Sequence, residues 1–208
     1  IVFARNVCFE LAEKMGYTHF MELDDDYTSI SLRFNKKGEF KARNVTNLDM
    51  IIDRLIAFYE RSGADCLAFA QGGDFVGGAE GFGKEIQIKR KAMNTLLCST
   101  KRPFKFLGRV NEDVNTYVRL GQMGKLFMTV NLVSINQKTT QTNRGGMTDE
   151  YLASGTYVKS FYTVMYSPSC VKISKMVNKD KRIHHKIEWR YAIPCILDEK
   201  YEKDYRNQ

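Results

Sequence analysis

The spacing of hydrophobic residues predicts a chain in which helices and strands alternate. Apolar positions between Val7 and Met15 recur with a helical period that stops at Gly16. A second helical stripe follows Asn47, which is a good N-cap residue, and stops at Gly63. Short runs rich in β-branched and aromatic residues separate the helical stretches. We expect one α/β domain whose mixed, mostly parallel central sheet is flanked by helices.

The same pattern gives the remaining elements of this domain. A hairpin is expected over residues 28–43, and further helices over residues 111–123 and 148–166. Strands are expected at residues 18–23, 66–70, 85–88, 104–107, 126–135, 170–174 and 186–191. No internal repeat or domain boundary divides residues 1–208.

Composition and charge narrow the class of protein. The chain has 208 residues, of which 43% are hydrophobic and only 3 are Pro, a composition that excludes a disordered or collagen-like chain. No apolar run approaches the roughly 18 residues that a membrane span needs. The net charge of +8 favours a polyanionic partner. The 5 cysteines are widely spaced without a C-x-x-C pair, which argues against a disulfide framework and a zinc cage and favours an intracellular protein.

Three adjacent carboxylates follow a predicted buried strand. Asp24, Asp25 and Asp26 would raise one another's pKa values unless a cation neutralises them. Carboxylate oxygens suit Mg²⁺ or Mn²⁺, and such an ion also bridges the oxygens of a diphosphate. An acidic surface turn or a helix cap is the alternative interpretation.

Two further motifs have both a chemical and a structural interpretation. Six glycines lie between Gly72 and Gly83, and a loop of this kind either presents backbone N–H groups to phosphate or simply turns the chain. Asp113 begins a predicted helix, where unpaired N–H groups stabilise its ionised form and suit it to act as a base. The alternative is that Asp113 only caps that helix.

Four segments together resemble a glycosyltransferase of the GT-A type. They are Ala-Arg-Asn at 4–6, Leu-Asp-Asp-Asp at 23–26, Gly-Arg-Val-Asn-Glu-Asp-Val-Asn at 108–115 and Arg-Ile-His-His-Lys-Ile-Glu-Trp at 182–189. The chain is more closely similar to the glycosyltransferases associated with TET/JBP oxygenases of phages and kinetoplastids, over residues 4 to about 197. Against that family, the first nucleotide-binding strand is absent before residue 4. We therefore expect a piece of a longer protein, with a donor half at about 1–70 and an acceptor half at about 71–208.

The resemblance implies a metal-dependent enzyme that transfers a sugar from a UDP-sugar to 5-hydroxymethylcytosine or 5-hydroxymethyluracil in DNA. Mn²⁺ or Mg²⁺ would be held by Asp24, Asp26 and either His184 or His185; only one histidine is expected to bind, because neighbours on a strand point to opposite faces. The implied catalytic residues are Asp113, as the base, and the adjacent Glu112. The implied donor contacts are Arg5, Asn6, Asp24, Asp25, Gly72 and Gly73.

Two basic tracts are candidate contacts for DNA phosphates. Their members are Lys89, Arg90, Lys91, Lys179, Lys181 and Arg182. A solvated lysine-rich surface is the alternative. Three other functions remain open, namely sugar transfer to a non-DNA acceptor, metal-dependent phosphodiester hydrolysis and non-catalytic nucleic-acid binding. The resemblance places the protein in the cytoplasm of an infected host cell if a phage encodes it, and in a nucleus if a kinetoplastid does. The sugar, the modified base, the stereochemistry and the oligomeric state stay open.

Overall fold

A computed structural model of the chain describes residues 1–36, 39–71, 85–92, 95–137, 148–175 and 183–194. The helices are α1 (Val2–Lys14), α2 (Leu48–Ser62), α3 (Glu112–Gln122), α4 (Thr148–Tyr166) and α5 (Trp189–Ala192). The strands are β1 (His19–Glu22), β2 (Tyr27–Lys36), β3 (Glu39–Asn44), β4 (Cys66–Ala70), β5 (Ile86–Gln87), β6 (Leu96–Ser99), β7 (Phe127–Gln137), β8 (Val171–Lys175) and β9 (Ile183–Ile187). The expected α/β architecture with a mixed sheet and flanking helices is confirmed.

Seven of these strands form one sheet, and β8 and β9 form a separate hairpin. The order in the main sheet is β1-β6-β4-β7-β2-β3, with β5 paired to β7. Among the described pairings only β4 and β7 run parallel, so the expectation of a mostly parallel sheet was wrong. β1 and β4 point the same way, as a βαβ pattern suggests, but β6 lies between them and is antiparallel to both.

Helix α2 forms as expected, whereas α1 begins at Val2, before its predicted start at residue 7. In α2 the side chain of Asn47 accepts a hydrogen bond from the Met50 amide at 3.0 Å, and Gly63 ends the helix in the left-handed region with φ 68°. The predicted hairpin is confirmed as β2 paired to β3. Within the described residues, no helix combines the length and the apolar character needed to cross a membrane.

Two strand predictions need correction, and one strand was missed. Residues 104–107 belong to no strand, whereas β6 at residues 96–99 was not predicted. The late strand predicted at 186–191 ends at residue 187, and α5 begins at Trp189. Short apolar runs fit a buried strand or a buried loop equally well, so only pairing decides between them.

Apolar residues pack on both faces of the main sheet. Every residue of β4 is buried, and successive side chains alternate between the two layers. Cys66 and Ala68 join the layer of Phe9, while Leu67 and Phe69 join that of Tyr59. The first layer contains residues of α1 and α3, and the second contains residues of α2. The end of β1 and the beginning of α3 are thereby held near α1.

Candidate active site

A buried arginine joins three carboxylates from distant parts of the chain. In α1, Arg5 donates from Nη1 to Glu22 Oε2 at 3.0 Å, and from Nη2 to Asp24 Oδ1 at 3.4 Å. Its Nε donates to Glu112 Oε1 at 3.3 Å, across 107 residues of sequence. The guanidinium therefore connects α1, the carboxyl end of β1 and the first turn of α3. We call Arg5, Glu22, Asp24 and Glu112 the carboxylate cluster.

The position of Arg5 explains why the helical stripe of α1 was misassigned. The residues that α1 buries are Arg5, Phe9 and Ala12. Leu11 and Met15, which the apolar stripe predicts to be buried, are more than half exposed. Because the buried face includes a charged residue, the apolar pattern alone does not reveal it. Pairing with carboxylates is what makes this burial tolerable.

Burial shapes the charges in the carboxylate cluster. Desolvation raises the pKa of Glu22 to about 7, although the hydrogen bond and the charge of Arg5 oppose the rise. Desolvation also raises the pKa of Asp24, with Asp26 and Asp113 adding to the rise and Arg5 opposing it. The pKa of Glu112 is raised by desolvation and by Asp113. One guanidinium thus faces more carboxylates than it can neutralise, so the cluster has excess negative charge.

Asp113 lies in the first turn of α3, as the sequence predicts. The preceding Asn111 adopts the left-handed region with φ 55° and makes no side-chain cap. The side-chain Nδ2 of Asn111 instead donates to the Lys159 carbonyl at 2.9 Å and to Thr163 Oγ1 at 3.1 Å. These two bonds fix the start of α3 against α4. The Asp113 carboxylate is near enough to Asp24 to raise its pKa, and it also acts on Lys91. The predicted base therefore interacts electrostatically with the aspartate triplet.

The aspartate triplet is only partly engaged by protein groups. Asp25 is exposed, and Asp24 keeps 30% of its side chain exposed despite the contact with Arg5. Asp26 has one carboxylate oxygen, Oδ1, that is buried without a hydrogen-bond partner among the described residues. No group of three or more His, Cys, Asp or Glu residues suited to a metal ion exists in the described part of the chain. The two outer aspartates remain the acidic ligands that a metal could find there.

Asn6 has a structural role in addition to its predicted place beside the donor. Its Nδ2 donates to the Phe106 carbonyl at 3.3 Å, and its Oδ1 accepts from the Phe106 amide at 2.8 Å. These two bonds satisfy the backbone carbonyl and the backbone amide of Phe106, which belongs to no strand. The other predicted donor contacts, Gly72 and Gly73, lie outside the described residues.

Both late histidines lie on β9 and line one cavity. Their ring centroids are 4.2 Å apart, so the expected separation onto opposite faces was wrong for the rings themselves. His185 is buried and His184 is half-buried. Lys91 lines the same cavity, and its pKa is lowered by burial. Lys89 is exposed, Arg90 is half-buried, and Lys179, Lys181 and Arg182 lie outside the described residues.

Sequence reasoning missed Glu22 and the neighbours of Lys91. Glu22 sits at the end of the apolar strand β1, and an acid inside such a run was the available signal of a buried partner. Lys91 was predicted only as a candidate DNA contact, but it lines a cavity with the histidine pair and interacts electrostatically with Asp113. No local pattern in the sequence indicates that contact.

Carboxylates from the end of β1 and from the first turn of α3 surround a buried arginine in a mixed α/β fold. This arrangement is typical of an enzyme site. Residues 1–146 match the TET-Associated Glycosyltransferase family, so the chain belongs to this family and is a glycosyltransferase. The matched region contains the carboxylate cluster, Asp26, Lys91 and Asp113, whereas the histidine pair lies beyond it. No curated protein and no solved structure matches the chain.

Proposed function

We propose that this glycosyltransferase moves a sugar from a nucleotide-diphosphate sugar to the hydroxymethyl group of a 5-hydroxymethylpyrimidine in DNA, with the help of a divalent cation. The observation that carries the proposal is that the buried Arg5 bonds to Asp24 after β1 and to Glu112 in the first turn of α3, where the neighbouring Asp113 interacts electrostatically with Asp24. An acidic pair of this kind suits a reaction with a metal-bound diphosphate on one side and a hydroxyl proton to remove on the other.

The aspartate triplet fits a hard cation that a substrate helps to coordinate. Asp26 offers a buried oxygen that lacks a partner among the described residues, and Asp24 is partly exposed. Mg²⁺ is commonly held by one or two carboxylates together with substrate phosphates, so a third protein ligand is not required. Bound there, Mn²⁺ or Mg²⁺ would supply positive charge against the diphosphate.

The protein's own residues have distinct parts in the proposed reaction. Asp113 accepts the proton of the acceptor hydroxyl as its oxygen forms a bond to the anomeric carbon. The bond from that carbon to the diphosphate oxygen breaks, and the nucleoside diphosphate leaves with the electron pair. Arg5 contacts Asp24 directly and fixes the direction in which its carboxylate points. Asp113 lies in the first turn of α3, next to the unpaired backbone N–H groups of the helix start.

The basic surface supports a nucleic-acid acceptor. Lys89 is exposed next to Arg90 and Lys91, and Lys91 interacts with Asp113. Phosphate contacts by such residues are independent of sequence, which suits an enzyme that modifies a base wherever it occurs. A base within a duplex has to leave the stack before its hydroxymethyl group can reach a carboxylate in the protein.

The decisive experiment combines the protein, Mn²⁺, a panel of UDP-sugars and DNA with hydroxymethylated pyrimidines. Mass spectrometry of the digested nucleosides should detect a hexose or pentose on the modified base, and unmodified DNA should stay unchanged. A chelator should abolish transfer. If sugar is transferred only to protein or free glycan, DNA is not the acceptor. If transfer survives chelation, the reaction does not depend on a divalent cation.

Asp113→Asn tests the base within the same assay. Transfer should fall by about 100-fold or more, since that is the usual contribution of a positioned base. Asp53→Asn is the matched control, because Asp53 is an exposed acid on α2, away from the carboxylate cluster. Undiminished transfer by Asp113→Asn would assign the proton to another group.

A further inference from the structure

A cavity at the β8–β9 hairpin is lined largely by basic residues. Its volume is about 280 Å³. We call it the histidine-lysine cavity, and its lining consists of Lys91, Ser174, Lys175, His184, His185, Lys186, Ile187 and Trp189. Among the described residues no carboxylate lines it. The charge of Asp113 acts on Lys91 in this lining.

His185 is the feature that indicates a ligand. The residue is only 3% exposed, and neither ring nitrogen has a hydrogen-bond partner within the described part of the chain. Leaving such a buried polar group unpaired costs about 1–3 kcal/mol. A molecule that enters the cavity and bonds to the ring would recover this free energy. The site therefore contains a polar group that the protein itself leaves unsatisfied.

The surrounding charges decide the sign of that ligand. Lys91, Lys175 and Lys186 line the cavity together with the two histidines, and no carboxylate of the described residues does so. A divalent metal ion would be repelled by these lysines, whereas an anion would be attracted to them. The histidine-lysine cavity thus suits an anion with several acceptor oxygens.

We propose that the histidine-lysine cavity binds a phosphate group, with His185 donating to a phosphate oxygen and Lys91, Lys175 and Lys186 neutralising its charge. A phosphate matches these donors because it presents several oxygens in different directions. This role replaces the metal ligation that the family resemblance implies for the histidine pair. It also explains why two adjacent histidines line one cavity with rings 4.2 Å apart.

The location connects this phosphate to the transfer reaction. Asp113 interacts electrostatically both with Asp24 in the carboxylate cluster and with Lys91 in the cavity lining. Two substrates of the reaction carry phosphate, namely the donor diphosphate and the DNA backbone beside the acceptor base. Assigning the phosphate to either substrate rests on the proposed function, but phosphate binding itself does not.

The chain contains natural reporters for the test. Trp189 is the only tryptophan, it lines the cavity, and it stacks on Tyr117 with ring centroids 5.7 Å apart. There are 3 histidines, so their imidazole signals can be assigned by single substitutions. His19 bonds to Glu60 at 2.7 Å and does not line the cavity, which makes it an internal control.

Inorganic phosphate is the first probe, with sodium chloride at matched ionic strength as its control. Phosphate should change the Trp189 emission in a saturable way and shift the His184 and His185 signals while the His19 signal stays in place. Chloride should do neither. The absence of a saturable response, or an equal response to chloride, overturns the proposal.

Two lysine variants separate this site from general charge effects. Lys186→Met should weaken phosphate binding about tenfold, the usual size for one charge-assisted contact. Lys172→Met removes the same charge from the residue paired with Lys186 in the hairpin, but Lys172 does not line the cavity. Both lysines are exposed, so both variants should fold. If both variants weaken phosphate binding equally, the proposed phosphate site is wrong.

Competition then identifies the substrate. Displacement of phosphate by UDP assigns the cavity to the donor, and displacement by an unmodified oligonucleotide assigns it to the acceptor. Displacement by neither refutes its part in the reaction. Phosphate binding by a protein that transfers no sugar rejects the proposed function alone, and an active transferase without phosphate binding rejects the cavity alone.

Discussion

Replacing Arg5 by Met removes the cation that three carboxylates contact. Only 8% of the Arg5 side chain is exposed, and Glu22 and Glu112 are similarly buried at 5% and 11%. Methionine fills comparable volume but leaves those carboxylates without their donor. Breaking one side of a buried ion pair costs about 3–5 kcal/mol, because the remaining charge has to stay desolvated. We expect Arg5→Met to lower the free energy of unfolding by that amount.

Urea denaturation followed by circular dichroism measures the change. Arg61→Met is the matched control, because Arg61 is exposed at the end of α2 and bonds only locally to the Ala57 carbonyl at 3.2 Å. Arg61→Met should lower the free energy of unfolding by less than about 0.5 kcal/mol. Arg5→Lys keeps the charge but not the fork of donors, so its cost should lie between the two.

A double variant distinguishes buried charge from lost packing. Glu22→Gln removes the carboxylate nearest to Arg5, so in the Arg5→Met background it should restore about 1–2 kcal/mol. In the presence of Arg5 the same substitution should destabilise the protein. A cost below about 1 kcal/mol for Arg5→Met, or additive effects of the two substitutions, would refute the account of the carboxylate cluster.

Four other substitutions test parts of the fold around the site. Burial and neighbouring positive charges lower the pKa of His185 to about 3, below its unfolded value of about 6.5, so the unfolded chain takes up the proton first on acidification. From pH 6.5 to 4.5 the native protein should therefore lose about 2 kcal/mol more unfolding free energy than His185→Gln does, in urea titrations. Gly108→Ala should cost about 2–4 kcal/mol by thermal unfolding, because φ is 86° and a Cβ would lie 2.9 Å from two tyrosine rings. Gly16→Ala, with φ 78° and open space, should cost only about 1 kcal/mol. Asn6→Ala should cost about 2 kcal/mol, because both backbone groups of Phe106 lose their partner.

Each of these expectations has a contrary result. Parallel pH profiles for the native protein and His185→Gln would place that ring in contact with water. Equal costs for the two glycine variants would show that backbone strain alone matters at Gly108. A neutral Asn6→Ala would mean that water replaces its two bonds.

The sequence predicted the elements whose ends carry a local signal, and missed features that depend on distant residues. α2 was predictable because Asn47 and Gly63 mark its ends. The orientation of α1 was not, since its buried face is centred on Arg5 and becomes acceptable only when carboxylates from β1 and α3 arrive. β6 was missed because four buried residues without alternation resemble any apolar run.

The candidate site shows the same division. Asp24 and Asp113 were predicted from their positions at a strand end and a helix start, and in the structure they interact electrostatically. An acid in the apolar strand β1 signals that Glu22 has a buried partner, but it does not identify Arg5 as that partner. Lys91 was predicted only as a candidate DNA contact, and only the tertiary fold places it in one cavity lining with the histidine pair.

The distance in sequence between Arg5 and Glu112 has a consequence for biosynthesis. The two residues are 107 positions apart, so α1 emerges from the ribosome long before α3 exists to receive it. Until then the guanidinium can bond to Glu22 and Asp24 but lacks Glu112, and Phe9 on the same face of α1 lacks the α3 residues of its apolar layer. The carboxylate cluster is accordingly completed late in folding, and a nascent chain cut short before α3 should have no settled first helix.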